Sequence, residues 1–217
     1  MDTAMLCLAN SKKLGGRCVA GIEVMVSDGW VEFVNVNGTP KWIRPVSATE
    51  HGEINHGFAR HINVLDVIAL NNVRPCPKKA QTENVYFNMG PFRVLCNAHP
   101  TPQGFETLCS NRSLIFGNTY TCVAENDLNK LDHSLVFIKA EDFSYHITKN
   151  IKGDDQLRGT FSHKSQQYDL PITDLNFLET AREKYLSWKK MNAYLTISLG
   201  EVFQGKSYKL IAAVIVQ

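Results

Sequence analysis

Two apolar runs, MLCLAN and RCVAGIEVMV, flank a short polar turn carrying lysines and glycines, and this pattern over residues 5–26 predicts a β-hairpin. A second pair, AYLTISLGEVF and KSYKLIAAVIV, closes the chain from Ala193. The two echo each other: Arg17-Cys18-Val19-Ala20-Gly21-Ile22 and Lys209-Leu210-Ile211-Ala212-Ala213-Val214 each run from a basic residue into an apolar strand with a small residue at its centre. After the first hairpin, Asp28-Gly29 and Asn37-Gly38 bound an alternating run at 30–36, and a further short strand is expected at 41–44. Pro45 ends that meander. Ser47 with Glu50 reads as a capping box opening a helix, kept short by Gly52 and Gly57. Strands are expected again at 63–70, near Val85, at 118–123, at 134–140 and within 157–170. The one clear helix is 174–189, where Leu175, Leu178, Ala181, Tyr185 and Trp188 recur at spacings of three and four.

A second echo joins the halves. Trp42-Ile43-Arg44-Pro45-Val46-Ser47 and Tyr168-Asp169-Leu170-Pro171-Ile172-Thr173 both run aromatic, two residues, proline, apolar, hydroxyl, each at a strand-to-helix junction. Proline ends strand pairing and the hydroxyl helps to cap a helix, so the pattern has a physical reason to recur. Strands, a helix, then strands again is the order of a five-stranded OB barrel. The fold class expected is mainly β with one clear α-helix: two OB-like five-stranded barrels, the first over 1–98 and the second over 116–217 with helix 174–189. Pro100, Pro102 and Gly104 place the link between them at 99–115.

Composition narrows the class. A 44% hydrophobic content supports a real core and excludes disorder, while a net charge of +2 is far from the profile of a protein that neutralises many phosphates. A local basic groove stays open. The start of the chain has an acid at Asp2 and only a short apolar run before Lys12, so no secretion signal is read there, and no run reaches membrane-spanning length. Six cysteines without CxxC spacing fit reduced thiols. A cytoplasmic protein without a membrane partner is expected.

Four clusters could carry chemistry. Asn10, Ser11, Lys13 and Arg17, with Lys12 and Gly16, put amides, a hydroxyl and cations on one turn, suited to phosphate or simply to a solvated hairpin. No P-loop motif is present. Gln81, Glu83 and Asn84, with Arg44 and Asp66, form a second polar set that either reads a base edge or satisfies buried backbone in a proline-bent connection. Trp30, Phe33 and Trp42, with Lys41 beside them, make either a stacking surface or core. His51, His56 and His61 recur every five residues, which turns successive imidazoles about 140° apart on a helix, so no metal site is read. No catalytic residues and no cofactor are assigned.

With those residues in view the chain resembles the bacterial dual OB domain-containing proteins. The resemblance rests on Leu8-Ala9-Asn10-Ser11-Lys12-Lys13 with Gly16-Arg17-Cys18-Val19-Ala20-Gly21, on Trp42 to Ser47, on Leu65-Asp66-Val67, on Gln81-Thr82-Glu83-Asn84 and on Tyr208-Lys209-Leu210-Ile211-Ala212. It implies two OB-like barrels and a place in defence or mobile-element gene clusters, and it carries no established activity. The function expected is a non-enzymatic module for single-stranded nucleic acid, bound through Asn10, Ser11, Lys13, Arg17, Trp42, Arg44, Gln81, Glu83 and Asn84. The alternatives are a small-nucleotide sensor or a protein-binding adaptor, with an enzyme as the third option.

Overall fold

In the computed structural model, which describes residues 2–28, 30–183 and 190–216, the apolar alternation at the amino end becomes a long hairpin of β1 (Thr3–Lys13) and β2 (Gly16–Ser27). The two strands pair antiparallel from Ala4↔Val24 to Lys13↔Gly16, with a bulge between Cys7 and Ala9. Gly21 lies opposite Cys7 at that bulge, and a β-carbon there would fall 1.8 Å from the Leu6 carbonyl oxygen. Only a hydrogen fits. Gly21→Ala is therefore expected to lower stability by about 1–3 kcal/mol through overpacking, read as a lower urea midpoint. An unchanged midpoint would mean that the two strands part at no cost.

The chain forms two units, Met1–Gly104 and Phe105–Gln217. In the first, the meander continues as β3 (Trp30–Phe33), β4 (Asn35–Val36), β5 (Thr39–Pro40) and β6 (Trp42–Pro45). Then come α1 (His56–Ala59), β7 (Asp66–Leu70), β8 (Arg74–Pro75), β9 (Asn84–Tyr86) and β10 (Arg93–Asn97). The sheet order is β10-β7-β1-β2-β6-β9-β8, with β3 on β2. Met5, Val19, Ile43, Ile68, Val85 and Phe92 meet in its core.

The fifth strand of this barrel is split. β9 runs parallel to β6, and β10 runs antiparallel to β7. Phe87 and Phe92 stack between them, ring centroids 5.3 Å apart. The helix expected to open at Ser47 begins later instead: Ser47 Oγ bonds Thr49, and the helix cap is Asn55, whose side chain accepts from the Gly57 N–H at 2.8 Å. The capping-box spacing is matched, but Gly52 holds a positive φ of 64° and turns the chain before a helix can form.

α2 (Pro102–Leu108) crosses from one unit to the other, and the second continues with β11 (Cys122–Ala124), β12 (Leu135–Lys149), β13 (Asp155–His163) and β14 (Gln166–Pro171). α3 (Leu175–Glu183), β15 (Met191–Phe203) and β16 (Lys206–Val216) complete it. β12 pairs with both β13 and β15, β15 pairs with β16, and a parallel bridge between Ile172 and Ile211 joins the end of the third strand to the fifth. That is an OB-like barrel, and both units are mainly β. β12 runs past the 134–140 strand expected, because the acidic pair Glu141-Asp142 sits in a bulge, Asp142 at φ 52°, rather than at a strand end.

The Trp42–Ser47 and Tyr168–Thr173 echo marks equivalent places. In each unit it forms the third strand, the one that closes by parallel pairing. The hairpin echo does not: Arg17 lies on the second strand of its barrel and Lys209 on the fifth of the other. Thr173 gives its hydroxyl to the Ile211 carbonyl, so the cap of α3 is Asp174, which accepts from the N–H groups of Phe177 at 3.1 Å and Val214 at 2.9 Å. Burial holds the Asp174 carboxyl above its usual range, and these backbone bonds oppose the shift. Phe177, absent from the helix face drawn from sequence, makes edge contacts with Tyr145 and Phe143. Tyr185 and Trp188 lie outside the described residues.

Residues 105–115, expected in the link, pack on the second unit. Phe105 stacks on Tyr194, and the Ser110 N–H donates to the Phe137 carbonyl at 2.7 Å. The Ile115 N–H donates to the Tyr168 hydroxyl at 3.2 Å. Lys209, fully buried, gives its ammonium to the carbonyls of Ile115 and Asn118, both at 2.7 Å, and to Asn118 Oδ1 at 2.9 Å. The residues from 110 to 118 thus form a strap tied across the second barrel.

Candidate functional site

The turn set is a structural bracket. Asn10 is buried and its Nδ2 donates to the carbonyls of Ala59 at 2.8 Å and Ile62 at 2.7 Å, holding the end of α1. Ser11 is buried opposite Cys18. Arg17, expected to project toward a ligand, is 5% exposed; its Nε donates to His56 Nδ1 at 3.3 Å and its backbone bridges to Ile54. Lys13 is half-buried near Glu53, whose carboxyl lies below its usual value through the Thr49 hydroxyl first and Lys13 to a smaller degree. His61 bonds the Phe92 carbonyl, so the histidines have separate partners.

The aromatic set divides. Phe33 pairs with Val24 and Trp42 with Ile22, which puts both on one side of the sheet and Trp30, three residues from Phe33, on the other. Trp42 is half-buried and Trp30 is 80% exposed. Lys41 ion-pairs with Glu23.

The second polar set does converge, apart from Asp66, whose carboxylate bonds the Asn63 N–H and the Asn97 amide elsewhere. Parallel pairing brings the Arg44 N–H to the Glu83 carbonyl and the Val46 N–H to the Val85 carbonyl, each at 2.9 Å. On that frame Arg44 Nη2 and Glu83 Oε1 lie 3.0 Å apart, both side chains buried. Asn84 Nδ2 donates to Gln81 Oε1 at 3.0 Å.

Above the pair stands a ribbon. Pro75 and Pro77 have no N–H to give a further strand, so β8 takes the edge of the sheet. Arg74 lies opposite Tyr86, and the Cys76 N–H reaches the Asn84 carbonyl at 2.9 Å. Lys78 and Gln81 exchange two backbone bonds around a turn in which Lys79 holds φ at 52°. Glycine adopts that backbone without strain; a lysine there costs roughly 1–2 kcal/mol. Arg74, Lys78, Lys79 and Tyr86 are exposed. Glu83 is the one carboxylate between residues 72 and 98, and its charge faces Arg44. The ribbon shows solvent three cations and an aromatic ring, and the exposed Asp2 carboxylate accepts from the Asn72 N–H at its start at 3.0 Å. Burial raises the Cys76 thiol above its usual value, which does not favour a nucleophile there.

The outer face of β12, β13 and β14 is polar but already engaged. Arg158 Nε donates to Asp169 Oδ1 at 2.9 Å, Ser144 and Thr160 share a hydrogen bond, and Gln167 donates to Ser162 at 2.6 Å. Sequence reasoning missed Arg74, Lys78, Lys79 and Tyr86. The signal available was the run of three cations over 74–79 interrupted by prolines, which reads as a loop until its partner strand is known.

The sequence matches the dual OB-containing domain family over residues 3–214. No curated protein matches it. Among solved structures it is similar to a murine DNA-binding protein bound with double-stranded DNA, at 8% identity and a TM-score of 0.39, covering 100% of this chain and 96% of that one. It is also similar to a deletion mutant of the single-stranded DNA-binding protein from Thermus aquaticus, at 11% identity and a TM-score of 0.26, covering 100% and 92%. Likeness at this level carries no argument about the ligand. Among the described residues no helix is long and apolar enough to cross a membrane, and no group of histidine, cysteine and acidic residues could hold a metal ion.

Proposed function

The chain belongs to the dual OB-containing domain family, and on that premise we propose that it is a non-enzymatic module for single-stranded nucleic acid, bound at the ribbon of the first barrel. The observation that carries this reading is the exposed set Arg74, Lys78, Lys79 and Tyr86 over a carboxylate neutralised by Arg44. The three cations neutralise phosphates, and Tyr86, across from Arg74, offers a face on which a base stacks. Arg44, Glu83, Asn84 and Gln81 support the ribbon from beneath, while Asn10 holds the end of α1 and Arg17 the residues just before it. The free cysteines fit a reducing cytoplasm, and a bacterial defence or mobile-element system is the setting proposed. A small-nucleotide sensor or a protein adaptor is the second reading, favoured by the near-neutral net charge.

Anisotropy of labelled DNA and RNA single strands, titrated from about 50 to 300 mM salt, tests it. Replacing Arg74, Lys78 and Lys79 with alanine is expected to weaken binding and flatten the log–log salt slope by about 2, as expected for three lost phosphate contacts on a single strand. Tyr86→Ala should cost about 1–3 kcal/mol with the slope unchanged. Normal binding by the triple variant removes the ribbon as the interface. If no oligonucleotide binds at low salt while nucleotides raise the melting temperature, the sensor reading replaces this one.

A further inference from the structure

We infer that the second unit carries a contact surface of its own for unpaired bases, a set of aromatic rings on the outer face of β11, β16 and β15. The register sets the face. Lys206 lies opposite Phe203 on β15 and Ala124 on β11, and Tyr208 lies opposite Cys122, so these five side chains share one side of the sheet. Val123, Ser207 and Lys209 point the other way and are buried, which makes the first side the outer one. On it Phe203 is 59% exposed and Tyr208 half-buried, and Tyr120, just before β11, is 73% exposed. The Lys209 N–H donates to the Thr121 carbonyl at 2.8 Å, which holds the backbone beside Tyr120 at the level of Tyr208.

The residues next to the rings are small. Ala124 and Cys122 pair with Lys206 and Tyr208, and at Gly200 a β-carbon would come 3.4 Å from Leu210 Cδ1 and 3.5 Å from the Tyr208 carbonyl oxygen, so a larger residue there would cover that flank. One exposed apolar side chain is ordinary; three rings beside one cation have the composition of a stacking platform, in which each base offers a π-face and the cation meets a phosphate. Lys206 is that cation, exposed and without a carboxylate partner among the described residues. Glu125 and Glu201, the acids nearest to it in sequence, are half-buried and engaged with other groups. With one cation to three rings, this surface recognises bases more than phosphates, the reverse of the ribbon, and it is compatible with a net charge of only +2. It rests on the nucleic-acid reading above but not on the ribbon.

The test is anisotropy of labelled oligo(dT), which stacks on aromatic rings without needing a sequence code, with the full chain at about 50 and about 300 mM salt. Tyr120→Leu with Phe203→Leu keeps apolar bulk and removes two rings. That variant is expected to bind roughly tenfold more weakly at both salt concentrations, with its melting temperature unchanged because both side chains are exposed. Lys206→Ala should flatten the log–log salt slope by about 0.7. Wild-type affinity in the leucine variant overturns the platform and leaves the ribbon standing. Weakened binding there, together with normal binding by the ribbon's triple alanine variant, supports the platform and removes the ribbon. If no oligonucleotide binds the wild type, both fall. Should the double variant melt early, Phe203→Leu alone decides, by the same loss of affinity without a change of slope.

Discussion

Replacing Arg44 with methionine is expected to destabilise the first unit by about 3–5 kcal/mol, because it leaves the buried Glu83 carboxylate without its cation. Chemical denaturation reads the loss. The double change Arg44→Met with Glu83→Leu should recover much of it, since an apolar pair of similar volume carries no uncompensated charge. A single-variant loss below about 1 kcal/mol would mean that solvent reaches Glu83. On the proposed function the position also bears on binding. Arg44 lies on the third strand, paired through its own N–H with the strand that carries Tyr86, so the variant should weaken oligonucleotide affinity by disordering the ribbon. Its salt slope should stay close to that of the wild type, which separates Arg44 from the three surface cations.

Lys209→Met should cost about 3 kcal/mol near neutral pH, because one buried oxygen and two partly buried ones lose their donor at once. The loss should grow on the alkaline side. Burial lowers the Lys209 pKa from 10.5 to about 8, so between those values the unfolded chain binds a proton that the folded one does not. Wild-type stability attributable to this group therefore rises as pH climbs from about 8 to 10.5, by roughly 3 kcal/mol in all, and the methionine variant lacks that rise. Denaturation of both proteins across that window measures it. Parallel curves would show that the ammonium remains charged, stabilised by its three acceptors and by the Tyr168 ring, whose centroid is 5.5 Å away. The strap should loosen in the variant, read as faster amide exchange over residues 110–118.

Much of the fold was legible because its signals are local. A period of two needs no partner to be recognised, and it marked both long hairpins. The six-residue echo identified equivalent strands in the two barrels, although neither hydroxyl caps a helix there: Ser47 bonds Thr49, and Thr173 bonds the Ile211 carbonyl. Where a local signal had two physical readings, the wrong one was easy to choose. Ser47 and Glu50 have the spacing of a capping box, yet the turn at Gly52 intervenes, and the helix opens at Asn55. The strand expected at 134–140 stops too early, because Glu141 and Asp142 form a bulge in the middle of β12.

The candidate site was legible in part. Arg44, Gln81, Glu83 and Asn84 stood out as a polar set, and the structure brings them together, but as the support of a surface and not as the surface itself. What the sequence by itself determined was the mainly β character, the two-barrel order, and the places where strands end. What only the tertiary structure decided was which cations face water. Arg17, Arg44 and Lys209 carry the same donors as Arg74, Lys78 and Lys79, and a guanidinium or ammonium reads alike in sequence whether it meets a phosphate or a backbone carbonyl. Its partner settles the matter, and that partner lies far along the chain: Lys209 bonds Ile115 across 94 residues, and Asn10 bonds Ala59 across 49. Burial of a polar group follows from such long-range pairing, because desolvation is tolerated only where hydrogen bonds replace those to water.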